Sequence, residues 1–317
     1  MNSSKVFLIV VALLAVALCN DNQVARAVVT NNGSVVERKT YAFPTYEQAV
    51  ETTDVEKYTS KQVYEKAVGD QSFEFQKLKY MSDGLKVVAY LYKPKQVEGK
   101  KLPVIIFNRG SAMRGDIAPE LIHVFHRLAS EGFIVVAPMY RQSDGGEGRD
   151  ELGGADVNDL MNVIPLAKGL GFIDTNNMSM YGESRGGMMT YLAIKRKFPM
   201  NAAAVFGALT DLEPVLGLYP ATMLKQFWPD FDTRKDEIIK ARSAIYWPEQ
   251  LDVPLLIMHG GHDKLPVSQS LDLAQQLQKS GKTYELIIYA EDNHYLKRNQ
   301  DDRDRRAAGW FKRHLKN

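Results

Sequence analysis

Residues 178–189 read Met-Ser-Met-Tyr-Gly-Glu-Ser-Arg-Gly-Gly-Met-Met. The apolar run Met178 to Tyr181 has the character of a strand, and a helical pattern runs from Gly187 to Lys197. Between them lies Gly182-Glu183-Ser184-Arg185-Gly186, a G-x-S-x-G sequence in a strand–turn–helix setting. Such a turn is so sharp that its serine takes a strained backbone conformation and projects its hydroxyl above the sheet. The strand and helix then crowd each other, and only small residues fit at Gly182 and Gly186. Ser184 is therefore a candidate nucleophile.

Working outward, short apolar runs alternate with helical ones. Val104–Phe107, Phe133–Ala137, Ala202–Phe206, Leu255–Met258 and Tyr284–Tyr289 read as strands. Ala118–Ala129, Ala155–Leu170 (kinked by Pro165), Ser268–Lys279 and Asp301–Leu315 read as helices. This alternation predicts an α/β protein with a mostly parallel sheet covered on both faces. Ser82-Asp83-Gly84 between two apolar-rich runs predicts an N-terminal antiparallel hairpin at one edge. Earlier still, Thr30–Ser34 reads as loop. The capping-box pattern Thr45…Gln48 and the spacing up to Val68 predict two short amphipathic helices. The organisation expected is a helical arm over residues 28–70, packing without chemistry, and a catalytic domain over 71–317. Within that domain, 211–249 is rich in Pro and aromatics, and forms either a small cap or a surface excursion. Its Trp228, Tyr246 and Trp247 are candidates for pocket walls, with core packing as the default. The glycine-rich stretch Asp144–Gly148 is a candidate mobile loop near the site.

A serine hydroxyl needs a base, and the base needs a partner that fixes its tautomer. With this kind of turn the chain order is Ser, acid, His. His294 follows the Tyr284–Tyr289 strand directly, at the sheet edge where catalytic loops gather. His259 and His262 come too early if the acid shares their loop, and His314 reads as a surface residue of the last helix. Asp263, in the short loop after Leu255–Met258, is favoured as the acid. Asp211 is its rival, and Asp292 stands too close to His294. His123 and His126, with Glu120 one turn before, have a metal-like spacing but no third ligand. They read as a helix-surface pair rather than a metal site.

Composition narrows the class. The chain has 317 residues, 45% hydrophobic and 25% charged, with one Cys. That excludes a disulfide framework, coiled coil and wholesale disorder. Forty basic against 38 acidic side chains leave a net charge of +2, and no field that would point to nucleic acid. Lys5 precedes the apolar run Val6–Leu18, too short for a membrane span, which needs roughly 20 residues. A signal peptide over residues 1–27 and a secreted or periplasmic location are expected. Cleavage after Cys19 or after Ala27 would remove the thiol. A lipoprotein anchored through Cys19 is the alternative, against which Leu18 argues.

Several of these stretches together resemble the prolyl oligopeptidase family of serine peptidases. Gly182-Glu183-Ser184-Arg185-Gly186-Gly187 resembles its nucleophile turn, and Pro254–Asp263 with Pro266-Val267 its acid loop. Tyr140–Ser143 with Gly153–Val157, and Asn293-His294, resemble further segments, so that the likeness runs from about Phe73 onward. The resemblance implies an α/β-hydrolase fold and acyl transfer through an acyl-enzyme. It assigns Ser184 as nucleophile, His294 as base and Asp263 as its partner. No metal or organic cofactor is needed for that chemistry. The oxyanion hole is expected from the backbone N–H of Arg185 and from Arg109 or Gly110. Many members carry His-Gly-Gly-Pro where this chain has Asn108-Arg109-Gly110-Ser111, so the second donor stays open, and Arg109 could instead hold the loop through a salt bridge. About 45 residues between Val28 and Phe73 are too few for the β-propeller of the well-known members. The expected substrate is a small peptide or an ester. A peptidase is favoured over a carboxylesterase of the same fold, and a non-catalytic binding protein is the remote third reading.

Overall fold

A computed structural model describes residues 31–316 apart from Glu98 and Tyr219. The apolar leader with Cys19 lies outside the described residues. Residues Asn31–Asn317 form one compact unit.

Chain order among the described residues begins with β1 (Val35–Thr40) and three short helices, α1 (Tyr46–Thr52), α2 (Val55–Tyr58) and α3 (Lys61–Gly69). The hairpin β2 (Phe73–Ser82) and β3 (Leu85–Pro94) follows, then β4 (Leu102–Asn108), α4 (Ala118–Ser130) and β5 (Ile134–Pro138). Next come α5 (Val157–Met161), α6 (Val163–Leu170), β6 (Ile173–Glu183), α7 (Arg185–Lys195) and β7 (Ala203–Phe206). The chain continues through α8 (Ala221–Phe227), α9 (Phe231–Arg242), β8 (Leu255–Gly260), α10 (Ser268–Lys279), β9 (Tyr284–Tyr289) and α11 (Gln300–Arg313).

These strands form one sheet in the order β1-β2-β3-β5-β4-β6-β7-β8-β9. β1, β2 and β3 are antiparallel, and from β5 onward neighbours are parallel. The expected architecture is thus present, with the hairpin turning at Asp83-Gly84, although β1 and not the hairpin forms the edge of the sheet on that side. Period-two alternation divides the core in two. Val104 and Ile106 of β4 pack with α5, α6, α7 and α10, whereas Ile105 and Phe107 pack with α4, α11 and the arm helices.

Three readings differ from the sequence. The arm is not wholly helical: β1 pairs with β2, and its charged Glu37, Arg38 and Lys39 are those of an exposed edge strand, which obscure its periodicity. The arm also holds three helices rather than two, the first with the expected Thr45–Gln48 capping box. The helix expected over Ala155–Leu170 is two, and the break falls at Asn162. Pro165 sits in the first turn of α6, where its missing N–H costs nothing, and its ring excludes the carbonyl of Met161 from a continuous helix.

The 211–249 segment folds as short helices whose Ile238, Ile239, Trp228 and Trp247 are buried in the α7-side core. Trp228 Nε1 donates to the Glu151 carbonyl at 2.8 Å, and Trp247 Nε1 to that of Lys240 at 3.0 Å. The tryptophans are therefore core, and neither lines the cavity that holds Ser184. The Asp144–Gly148 loop is pinned to the hairpin: Asp144 pairs with Lys77 at 2.6 Å and accepts from the Tyr90 hydroxyl at 2.6 Å.

Candidate active site

In a parallel sheet all strand C-termini point to one edge, and the chain leaves β4 in one direction and returns to the other side of it as β6. The crevice at such a reversal is where open α/β sheets place their ligands. The loops after β4, β6, β8 and β9 meet there.

β6 ends at Glu183, and Ser184 has φ 53° and ψ −118°, a left-handed conformation of a non-glycine residue that costs about 1–3 kcal/mol. Its N–H donates to the Phe206 carbonyl at 3.0 Å, and its own carbonyl accepts from Gly187 at 2.9 Å and Leu209 at 3.2 Å. These bonds hold the turn open to solvent on its hydroxyl side. A Cβ on Gly186 would lie 1.8 Å from the Asn108 carbonyl oxygen, so the helix can approach β4 only with glycine there. Asn108 Nδ2 donates to Thr190 Oγ1 at 2.8 Å, and that hydroxyl donates to the Gly186 carbonyl at 2.8 Å, tying the same corner together.

The loop after β8 carries Asp263, and the loop after β9 carries His294. His294 Nδ1 lies 2.7 Å from Asp263 Oδ2, and the Leu265 N–H donates to Asp263 Oδ1 at 2.8 Å. Gly207, with φ +52°, passes so close that a Cβ there would sit 3.0 Å from His294 Nδ1. Burial pushes the Asp263 carboxyl up, but hydrogen bonds from His259 and His294 outweigh it and hold it at about 2. Burial pushes the His294 imidazole down. The bond to Asp263, that residue's charge and the charge of Glu183 prevail, and raise it above the ordinary histidine value.

Ser184, Asp263 and His294 line one cavity of about 480 Å³, together with Lys57, His262 and Lys264. The three residues that the sequence singles out are thus gathered at one place. Asp211 is not among them: its carboxylate accepts from the Glu213 N–H at 3.1 Å and terminates a local turn. Asp292 accepts from the backbone N–H groups of Asn293 and Asn299 at 2.9 and 3.0 Å, which shapes the histidine loop.

Gly110 comes against the serine, since a Cβ on it would lie 3.3 Å from Ser184 Cβ. Arg109 does not face the cavity with its guanidinium. The buried group donates to the carbonyls of Met139 (2.6 Å), Gly110 (2.9 Å) and Ser111 (3.0 Å) and to Ser143 Oγ (2.6 Å). Burial pushes it down to about 10. It holds the loop through carbonyl oxygens, not through the salt bridge weighed from sequence. As first residue of α7, Arg185 has a backbone N–H without an intrahelical acceptor. Its side chain does different work: Nη1 and Nη2 form a bidentate pair with Asp150 at 2.6 and 2.7 Å, and Nη2 reaches Asp156 at 2.7 Å. Both guanidiniums lie over the Tyr140 ring, each 5.0 Å from its centroid.

Some contributors escape a sequence reading. His259 is fully buried, Nδ1 at 2.8 Å from Ser270 Oγ and Nε2 at 2.9 Å from the Leu265 carbonyl and 3.3 Å from Asp263. It supports the acid and cannot face a substrate; its position in the loop that bears Asp263 is the available signal. The arm, expected to pack without chemistry, reaches the cavity. Tyr58 of α2 packs against Tyr295 with ring centroids 4.7 Å apart and the planes tilted by 58°, and Lys57 lines the cavity. Nothing in the local pattern announces that docking. His123 is not on the helix surface: it is buried, its Nδ1 3.0 Å from the Glu120 carbonyl, and burial holds it down to about 4. His126 instead pairs with Asp70 at 3.0 Å. Among the described residues no group of three metal-capable side chains converges, and no helix is long and apolar enough to cross a membrane.

With this geometry in hand, comparison with known proteins is direct. The model of the prolyl oligopeptidase family matches residues 119–317. The uncharacterized peptidase YuxL of Bacillus subtilis is 27% identical over 251 residues, which cover 74% of this chain and 38% of YuxL. The uncharacterized peptidase YtmA of the same organism is 27% identical over 240 residues, 74% of this chain and 91% of YtmA. Among solved structures, the acylaminoacyl peptidase of Pyrococcus horikoshii superposes with a TM-score of 0.65 at 22% identity, over 78% of this chain and 42% of that one. The chain therefore spans under half the length of YuxL and of the Pyrococcus enzyme.

Proposed function

The chain belongs to the prolyl oligopeptidase family, and we propose on that premise that it is a serine peptidase acting through Ser184, His294 and Asp263. The observation that carries this reading is the 2.7 Å bond between His294 Nδ1 and Asp263, in a cavity that the strained Ser184 also lines.

The chemistry follows from the positions. Nδ1 of His294 is spent on Asp263, so Nε2 is the nitrogen left to take the Ser184 hydroxyl proton. Ser184 Oγ bonds to the substrate carbonyl carbon, and the carbonyl π pair moves onto oxygen. The backbone N–H of Arg185 and that of Gly110 are the donors for this oxyanion, aimed where charge develops. Collapse breaks the bond to the leaving amine, which takes the proton from His294 Nε2. Water, deprotonated by the same nitrogen, then releases the acid and restores Ser184. Asp263, held ionised at about 2, stabilises the imidazolium in both steps.

Lys5 and the apolar run Val6–Leu18 support export of the protein. An acyl ester would pass through the same steps with an alcohol leaving group. The test is therefore a panel of aminoacyl anilides and matched short acyl esters, with Ser184→Ala as control. Anilide cleavage that is lost in the variant supports a peptidase. Ester turnover without anilide cleavage replaces it by an esterase.

A further inference from the structure

We propose that the Ser184 cavity selects substrates bearing a carboxylate, which Lys57 and Lys264 hold. This rests on the serine hydrolase reading and names its substrate class.

The lining of the cavity is mixed. Leu209, Val215 and Leu265 are its apolar lining residues, and Lys57, His262 and Lys264 are among its polar ones. Asp263 is the one carboxylate that lines it, and both its oxygens are engaged, by Leu265 N–H and by His294. Glu183 precedes the serine in the chain, but it is buried and does not line the cavity. Lys264 has no ion pair among the described residues. Lys57 pairs with Asp54 at 2.8 Å in a solvent-accessible ion pair of the kind worth little, and Arg114, 3.5 Å from Asp54, has Glu120 as its closer partner.

Lys57 is not a stray surface lysine. It belongs to α2, which is docked on the histidine loop: Lys297 Nζ donates to the Glu56 carbonyl, and Tyr58 packs on Tyr295. The Asp54 N–H, just before α2, donates to the buried Glu120 at 3.0 Å. Two lysines from distant parts of the chain, residues 57 and 264, are thus brought to the lining of one cavity. A partly enclosed cavity with an excess of one sign of charge attracts the opposite sign and repels its own. A substrate with a carboxylate is favoured there, and one that presents an ammonium group to the lysines is disfavoured. The carboxylate has two sources in a peptide, an acidic side chain or the free C-terminus.

The experiment is kcat/KM on blocked chromogenic substrates in matched pairs. Glu against Gln beside the scissile bond reports the side-chain source, and free against amidated C-termini report the terminal source. Each pair is measured at about 20 mM and about 0.5 M salt, for the wild type, Lys57→Ala, Lys264→Ala and Lys264→Glu. The acidic member of one pair is expected to be favoured about tenfold at low salt, with the ratio falling as the screening length shrinks below about 10 Å. Each alanine should narrow the ratio by about two- to fivefold, and Lys264→Glu should reverse it. Equal rates within both pairs, or a ratio that no lysine variant alters, overturn the proposal. Turnover of the uncharged members without charge preference sinks this inference alone. No turnover of any substrate, with no labelling of Ser184, sinks the hydrolase reading beneath it.

Discussion

His294 and Asp263 come from loops at the ends of neighbouring strands, and their side chains meet at 2.7 Å, Nδ1 to Oδ2. That bond fixes which ring nitrogen is left for chemistry. Asp263→Asn keeps the shape but offers an amide in place of the charged acceptor. It should still fold, with a lowered Tm because the ionised acid's contribution to stability is lost, while kcat falls by about 10³–10⁴-fold. A variant that kept near-full activity would remove Asp263 from the mechanism.

The pH profile follows from the same pair. A base must be neutral to accept a proton, and His294 is raised above the ordinary histidine value because Asp263 prevails over burial. Activity, as kcat/KM, should therefore rise with pH through an inflection above about 6.5. The inflection should move down in Asp263→Asn, because the charge that holds the imidazolium is gone. An inflection that stays in place would mean that another group titrates.

Stability should depend on pH in a matching sense. Asp263 is depressed to about 2 in the folded protein, below its unfolded value near 4. Its contribution is thus fully present above about pH 4 and is lost as pH falls through about 2. Acid unfolding followed by circular dichroism should show a shallower loss in Asp263→Asn than in the wild type.

Buried charge at the nucleophile turn makes another prediction. Arg185 is 1% exposed and is the cation facing Asp150 and Asp156. Arg185→Leu leaves two buried carboxylates without it and should destabilise the fold by about 3–5 kcal/mol in denaturant titration. Arg185→Lys keeps the charge but loses the fork, so its cost should be smaller yet measurable.

Two glycines should behave oppositely. Gly186→Ala drives a Cβ to 1.8 Å from the Asn108 oxygen, and something must move; a loss of about 1–3 kcal/mol together with reduced activity is expected. Gly169→Ala, within α6 and with nothing within 4 Å of the new atom, should stabilise by about 0.5–1 kcal/mol and leave activity alone. Thermal melts of the pair check both signs.

Much of this architecture was legible because its signals are local. α10 and β9 fall at Ser268–Lys279 and Tyr284–Tyr289, the bounds read from the sequence: α10 buries a regular face with Leu273, Ala274 and Leu277, and β9 is a short apolar run between polar segments. Ser184, Asp263 and His294 were legible because a sharp glycine-flanked turn and the ends of two strands mark them. What stayed hidden depends on packing at a distance. β1 is an edge strand whose charged residues blur its alternation, and the α5–α6 break precedes the proline that causes it. The docking of α2 that carries Lys57 to the cavity, and the burial of His123 under the arm-side core, are written in no short stretch of sequence.

The central claim, that Ser184 is an activated nucleophile, is tested most directly by reacting the folded protein with a fluorophosphonate and mapping the adduct by mass spectrometry. The account predicts a stoichiometric adduct on Ser184, formed far more slowly in His294→Ala and absent in Ser184→Ala. A folded protein that acquires no adduct at Ser184, or acquires it equally without His294, contradicts it.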